Sequence, residues 1–257
     1  MPRVSEIASY LDGLLRTTDV PDYPGAVNGL QLASSREIER IAAAVDFSRT
    51  VTRKAVAAGA QLLIVHHGMF WSAPQPITGW RYETLAALIE HGVAVYSSHL
   101  PLDLHPQFGN NVLLARHLGL EPTGGFVAFQ GVSIGVSGDT EMSTAELANR
   151  LRNFSSEHGG HLVAPAFDPR RVTKRWGICT GAGADNDSIR EATQRGIDTI
   201  IVGEGPHHTA VLARDLDLVV LYGGHYATET LGVRALAHHI ATKYSLESFF
   251  IEEPTGL

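Results

Sequence analysis

The amino-acid sequence predicts an α/β protein of two similar α/β lobes related by an internal duplication. Short runs rich in Val and Ile, at 41–45, 62–65, 93–96, around Ile178, at 199–202 and at 218–221, alternate with helical patterns. Such alternation is the mark of strands joined by crossover helices and paired largely in parallel. Two stretches of the chain align with two others without gaps, and both lead into strands that end in polar residues. Histidines and carboxylates gather just beyond those strand ends.

Taken in order, Val4, Ile7, Leu11, Leu14 and Leu15 recur at the spacing of one helix face, so an amphipathic helix opens the chain. Lys54-Ala55 and the run from Gly59 to His67 match Glu191-Ala192 and the run from Gly196 to Glu204 as helix, turn and strand. Downstream, Val95-Tyr96-Ser97-Ser98-His99-Leu100-Pro101-Leu102-Asp103 matches Leu221-Tyr222-Gly223-Gly224-His225-Tyr226-Ala227-Thr228-Glu229, a strand followed by His-x-x-x-carboxylate. The offset differs between the two matches, so the repeat is a diverged one. Between Gly124 and Pro165 the pattern changes: 126–136 is strand-like and 143–154 helical, opened by a Ser143 to Glu146 capping-box match. This stretch reads as an insertion or as the opening of a second lobe; the latter gives a first lobe at 1–123, with His66, His67 and Asp103, and a second at 124–257, with His225 and Glu229.

Composition narrows the function. A chain of 257 residues can bury a substantial core in two lobes. Its formal charge is -7, and the basic residues are scattered rather than gathered in a stripe, which argues against nucleic acid as a partner. The apolar runs are far shorter than the roughly 20 residues that span a bilayer, so no membrane segment is expected. The first residues read as a helix face and not as a secretory leader, and the expected location is cytoplasmic. Cys179 is the single cysteine, which excludes an intrachain disulfide and multi-thiolate zinc sites; any metal must be held by imidazole and carboxylate.

Six of the 13 histidines lie in three places just after predicted strands: His66-His67, His99, and His207-His208 with His225. In open α/β sheets ligands collect at those ends. Adjacent side chains on a regular strand point to opposite faces, so His66 and His67 share one cleft only if the chain leaves the strand there, a turn that Gly68 makes easy. His225 and Glu229, four apart, share one face of a starting helix and form a chelating pair. Asp103 stands in the equivalent place after His99, with Pro101 pointing to an irregular turn. A lone strand-end histidine or His-x-x-x-Glu is ordinary, but three or four imidazoles and two carboxylates exceed what one tetrahedral structural site needs. A two-metal cluster in the cleft between the lobes accounts for them.

Two motifs are set aside. Gly131-Val132-Ser133-Ile134-Gly135 has the spelling of a hydrolase nucleophile elbow but lies inside a strand-like run. Thr180-Gly181-Ala182-Gly183-Ala184-Asp185 lacks the third glycine of a dinucleotide fingerprint and reads as a tight turn near the cleft mouth.

Asn28-Gly29-Leu30-Gln31, the run from Val65 to Trp71, the run from His99 to Asp103, Gly203-Glu204 and the run from Gly224 to Glu229 occur in an order that resembles the NGG-interacting-factor-three-like dinuclear-metal hexameric proteins. That family also carries the label type 2 homologue of GTP cyclohydrolase I. The resemblance covers essentially the whole chain. It implies His66, His67, Asp103, His225 and Glu229 as metal ligands, one carboxylate bridging the ions, and two similar lobes assembled into a toroidal homohexamer. Through the repeat, His99 is the counterpart of His225 and reads as a ligand or a cavity residue; Glu204 matches a cleft residue. Where relatives often carry Ser after Gly-Glu, this chain has Gly205-Pro206-His207-His208, and His207 could add a proton donor.

These readings lead to metal-assisted hydrolysis of a nucleotide or related phosphate compound, with two divalent ions roughly 3.5–4 Å apart and His99, Glu204 or His207 as catalytic groups that move protons. The competing class is a non-catalytic metal-binding, interaction or regulatory protein. Imidazole and carboxylate accept zinc, iron, nickel, cobalt or manganese alike. Charge favours Glu229 as the bridge: two divalent ions bring four positive charges, neutral imidazoles offset none, and a long carboxylate side chain relieves the repulsion most directly.

Overall fold

In the computed structural model, which describes residues 1–71 and 75–257, the chain runs through α1 (Val4–Leu15), β1 (Gly29–Leu32), β2 (Arg40–Asp46), α2 (Arg49–Ala57), β3 (Leu62–His67), α3 (Trp80–His91), β4 (Ala94–Ser97) and α4 (Leu100–Asp103). It continues through α5 (Asn110–His117), β5 (Gly124–Phe129), β6 (Val132–Ser143), α6 (Thr144–Glu157), β7 (Val172–Cys179) and α7 (Asn186–Gln194). β8 (Thr199–Val202), α8 (His207–Asp215), β9 (Val219–Tyr222), α9 (His225–Thr228), α10 (Thr230–Tyr244) and β10 (Glu247–Phe250) complete it. Among the described residues no helix is long and apolar enough to cross a membrane.

Two compact units result: Met1–Phe108 with Gly232–Glu253, and Gly109–Leu231 with Pro254–Leu257. This division departs from the expected boundary at 123/124, for reasons of burial. Leu114, Ala115, Leu118 and Leu120 bury with residues of α6 and β7–β9 and so join the second unit. Val233, Leu236, Ala237 and Ile240 of α10 bury with α1 and β2–β4, and β10 pairs in parallel with β2, which returns the chain to the first.

The first unit is a five-stranded sheet of order β1-β4-β3-β2-β10, parallel except for the β1–β4 pair. Its central strands are apolar on both faces because helices cover both. Ile41, Ala43, Leu62, Ile64, Ala94 and Tyr96 bury with α1 and α10, while Ala42, Ala44, Leu63, Val65 and Val95 bury with residues of α2 and α3. The alternation is the period-two geometry of a strand. The face of α1 that the sequence marks does bury, with Ile7 and Leu11 fully enclosed.

The second unit has the order β5-β6-β7-β8-β9, with β7, β8 and β9 parallel and β5–β6 and β6–β7 antiparallel. Trp176, Ile178, Ile201 and Leu221 bury with α5 and α6; Ile200, Val202 and Val220 bury with residues of α7 and α8. The strand-like run 126–136 is a hairpin, not one strand: Gln130 and Gly131, at φ 45° and 89°, form a two-residue loop of positive φ that turns β5 into β6. Ser143 does precede α6, yet its side chain makes no capping bond. Ser133 sits within β6, so it is no nucleophile elbow. The matched segments of the sequence fall on corresponding elements, α2–β3 with α7–β8 and β4–α4 with β9–α9.

Candidate metal centre

In the first unit the site grows from the carboxyl ends of β3 and β4. Contrary to the expectation from sequence, the chain does not leave the strand between His66 and His67; both belong to β3 and both are buried. By strand parity His67 lies on the α2/α3 face, in register with Asp46 of β2, and His66 on the opposite face. At the last two positions of a strand, rings can lean over the sheet end, and the two centroids are 4.9 Å apart. His99, just beyond β4, brings a third ring to 4.9 Å from His66 and 5.6 Å from His67. One nitrogen from each of the three lies within 4.8 Å of the others, a grouping that could hold a metal ion.

Gly68 is needed for space rather than for a turn. A Cβ there would run into the carboxamide of Gln31, which donates to the carbonyls of Ala26 and Val27 and accepts from the Met69 amide. Asn28 of the same Asn-Gly-Leu-Gln segment accepts from the His99 amide at 2.7 Å and donates to Asp22. That segment is thus scaffolding for the histidines. Pro101 does not prevent helix: α4 is a short helix with the proline in its first turn, where a missing N–H removes no intrahelical bond. The Asp103 amide donates to the His99 carbonyl, and Oδ2 of Asp103 lies 3.5 Å from Nε2 of His66.

In the second unit His225 opens α9 and Glu229 follows it, with Nε2 to Oε2 3.1 Å apart. The spacing of four does bring these two side chains together. Glu204, just beyond β8, accepts a hydrogen bond of 2.8 Å from Nδ1 of His225. Burial opposes charge on His225, but Glu229 and then Glu204 prevail and raise its pKa to about 9. The field that retains a proton there also favours a metal cation. Gly181, at φ 64°, leaves room for Glu229: a Cβ would meet Oε1. The Thr180 to Asp185 segment is therefore a close-packed turn against the pair, and Asp185 caps α7 in a capping box with Ser188. His207 is exposed at the start of α8 and lines a cavity of about 280 Å³ together with Glu204.

One pattern recurs in all four histidines. Each Nδ1 faces an oxygen that can only accept: the Ser98 carbonyl for His66 at 2.9 Å, and Asp46, Asp22 and Glu204 for His67, His99 and His225, each at 2.8 Å. Nδ1 is thus the donor, so a neutral ring carries its lone pair on Nε2; in metal-free His225, where the raised pKa keeps a proton on that nitrogen, the proton must leave before Nε2 can take a metal. Metal-bound histidines are oriented in this way. Asp22 accepts from His99, Asn28 and the Leu100 and Tyr23 amides; burial pushes its pKa up, yet the bond and charge of His99, then the bonds from Asn28 and the Tyr23 amide, hold it below the usual carboxylate value. The donors fit a borderline divalent ion such as zinc, iron, nickel, cobalt or manganese. Sequence reasoning missed Asp22, Asp46 and Ser98. Only Asp46 had a readable signal, as a carboxylate at a predicted strand end; Asp22 lies in an irregular stretch with no pattern.

Two α/β sheets whose strand ends carry oriented histidines beside carboxylates define an α/β protein with a possible metal site. The chain belongs to the Duf34/NIF3 (NGG1p interacting factor 3) family, whose model matches residues 2–256. It is 39% identical over 257 residues to a GTP cyclohydrolase 1 type 2 homolog of Halobacterium salinarum, covering 99% of both chains. It is 38% identical over 258 residues to one of Deinococcus radiodurans, covering 98% of this chain and 94% of that one. Among solved structures, protein ybgI, described as of unknown function, matches with a TM-score of 0.88 at 31% identity over the full length of both chains.

Proposed function

We propose that this protein is a dinuclear metal-dependent hydrolase of a nucleotide or related phosphate compound, with His66, His67, Asp103, His225 and Glu229 as metal ligands. The observation that carries the proposal is the common orientation: each of four histidines is tied through Nδ1 to an acceptor oxygen, which leaves Nε2 to face a metal, and carboxylates lie on the Nε2 side of His66 and His225. Bound divalent ions supply Lewis acidity and lower the pKa of water. The protein's residues do the rest. Asp46 and Glu204 hold imidazoles in one orientation. Asp103 and Glu229, ionised, offset the charge of the ions. His99, Glu204 and His207 are the groups available to move protons; Glu204 and His207 share a cavity.

The names of the relatives support a nucleotide substrate. The matched order β-α-β-α-β-α in each unit supports an internal duplication. A toroidal homohexamer in the cytoplasm completes the proposal. Elemental analysis of protein loaded with metal should give two ions per chain; a stoichiometry that never exceeds one removes the dinuclear reading. Turnover of a purine nucleotide should require metal and vanish in Asp103→Asn with the fold intact, and unchanged turnover in that variant assigns the activity to a contaminant. A light-scattering mass of one chain at micromolar concentration removes the hexamer.

A further inference from the structure

The first unit contains a cavity of about 460 Å³, larger than those of about 280 and 240 Å³ described in the second. That volume is ample for a small ligand. Its wall includes Phe47, Phe70, Trp71, Trp80, Arg81 and His67. Phe70, Trp71 and Trp80 are 37%, 41% and 49% exposed, unusual for rings of that size, and they collect around one hollow instead of scattering over the surface.

Trp71 ties this hollow to the histidines. Its ring lies 5.1 Å from that of His67 and edge-on to His99 at 4.5 Å. Trp80 and Arg81 open α3, and the guanidinium stands 5.1 Å from the Trp80 ring centroid. Arg81 is the only lysine or arginine among the described lining residues. Flat aromatic walls select a flat ring, because stacking depends on a π-face rather than on a hydrogen-bonding pattern. A guanidinium beside them selects an anionic substituent, which it can grip with two parallel hydrogen bonds.

We propose that the cavity bounded by Phe47, Phe70, Trp71, Trp80 and Arg81 is the recognition pocket for a planar heteroaromatic ring carrying a phosphate, held next to His67. Trp80 and Phe70 stack the ring and Arg81 binds the phosphate. The inference rests on the reading of a nucleotide or related phosphate as substrate, and it adds where and by which residues that compound is recognised. A concave hollow next to the oriented histidines suits a small molecule better than the face of a second protein.

The test uses the full chain stripped of metal by chelator, so that binding is read apart from metal loading. Adenosine monophosphate is the probe, with adenosine and ribose 5-phosphate as the separate halves. Of three tryptophans, Trp71 and Trp80 line the cavity and Trp176 is fully buried, so ligand entry should quench the exposed emission. The monophosphate should bind at least tenfold more tightly than either half. Arg81→Gln should lower its affinity to near that of adenosine while leaving adenosine unchanged. Trp80→Leu should weaken both by about tenfold, the usual scale for one stacked base. Zinc content, measured on both variants by elemental analysis, should equal that of the wild type. Wild-type protein that loads zinc but binds none of the three probes overturns the pocket while leaving the metal reading intact. A fall in light-scattering mass on Trp80→Leu with unchanged probe binding also overturns it, because the rings then serve a protein interface.

Discussion

Replacing Asp46 isolates the orienting role of the carboxylates. Its Oδ1 lies 2.8 Å from Nδ1 of His67, and its side chain is 39% exposed, so water can take its place when it is removed. The fold should therefore lose no more than about 1 kcal/mol. The effect on metal should be larger, because this bond keeps Nε2 of His67 facing away from β2 with its lone pair available. Partners of this kind contribute about 10–100-fold to affinity, or about 1.4–2.7 kcal/mol. Asp46→Asn keeps an acceptor but loses charge, and charge-assisted bonds are about twice as strong as neutral ones. The asparagine variant should then bind zinc about tenfold more weakly and Asp46→Ala closer to 100-fold more weakly. Competition against a fluorescent chelator, with thermal unfolding as the control for folding, reads both. Unchanged zinc affinity in two folded variants would refute the orienting role and, with it, Nε2 of His67 as a ligand.

Glu229→Gln should lose both ions or leave one weakly held, whereas His66→Ala or His67→Ala should weaken one ion first; two ions with unchanged calorimetric affinity in Glu229→Gln would end the bridging assignment. In metal-free protein the pKa of His225 is raised to about 9, so the stability it lends is complete below about pH 6.5 and is lost as pH rises through about 9. Urea midpoints of the metal-free chain should fall across that window and fall less in His225→Gln; equal slopes would contradict the assignment. Gly181→Ala places a Cβ against Glu229 at φ 64° and should lower stability by about 1–3 kcal/mol along with metal affinity, and wild-type denaturation and chelator titrations from that variant would show the close approach to be unimportant.

Much of this protein is legible along the chain because its information is local. The apolar faces of β2, β3, β8 and β9 are continuous since helices cover both sides, and such runs declare themselves without a structure. Spacing alone makes His225 and Glu229 a pair, since four residues are one helical turn. What the sequence left undetermined depends on contacts between distant segments. The path of α10 and β10 back into the first unit is decided by which core Val233, Leu236 and Ile240 fill, and a local pattern cannot say which of two similar sheets that is. Gly68 reads as a turn glycine until the Gln31 carboxamide is found across it. His66 and His67 violate the period-two rule only in appearance, because ring orientation at a strand end is set by partners, Ser98 on one side and Asp46 on the other. Asp22 lies 77 positions from His99. Nothing short of tertiary structure brings that carboxylate to the imidazole, and with it the tautomer on which the chemistry of the site depends.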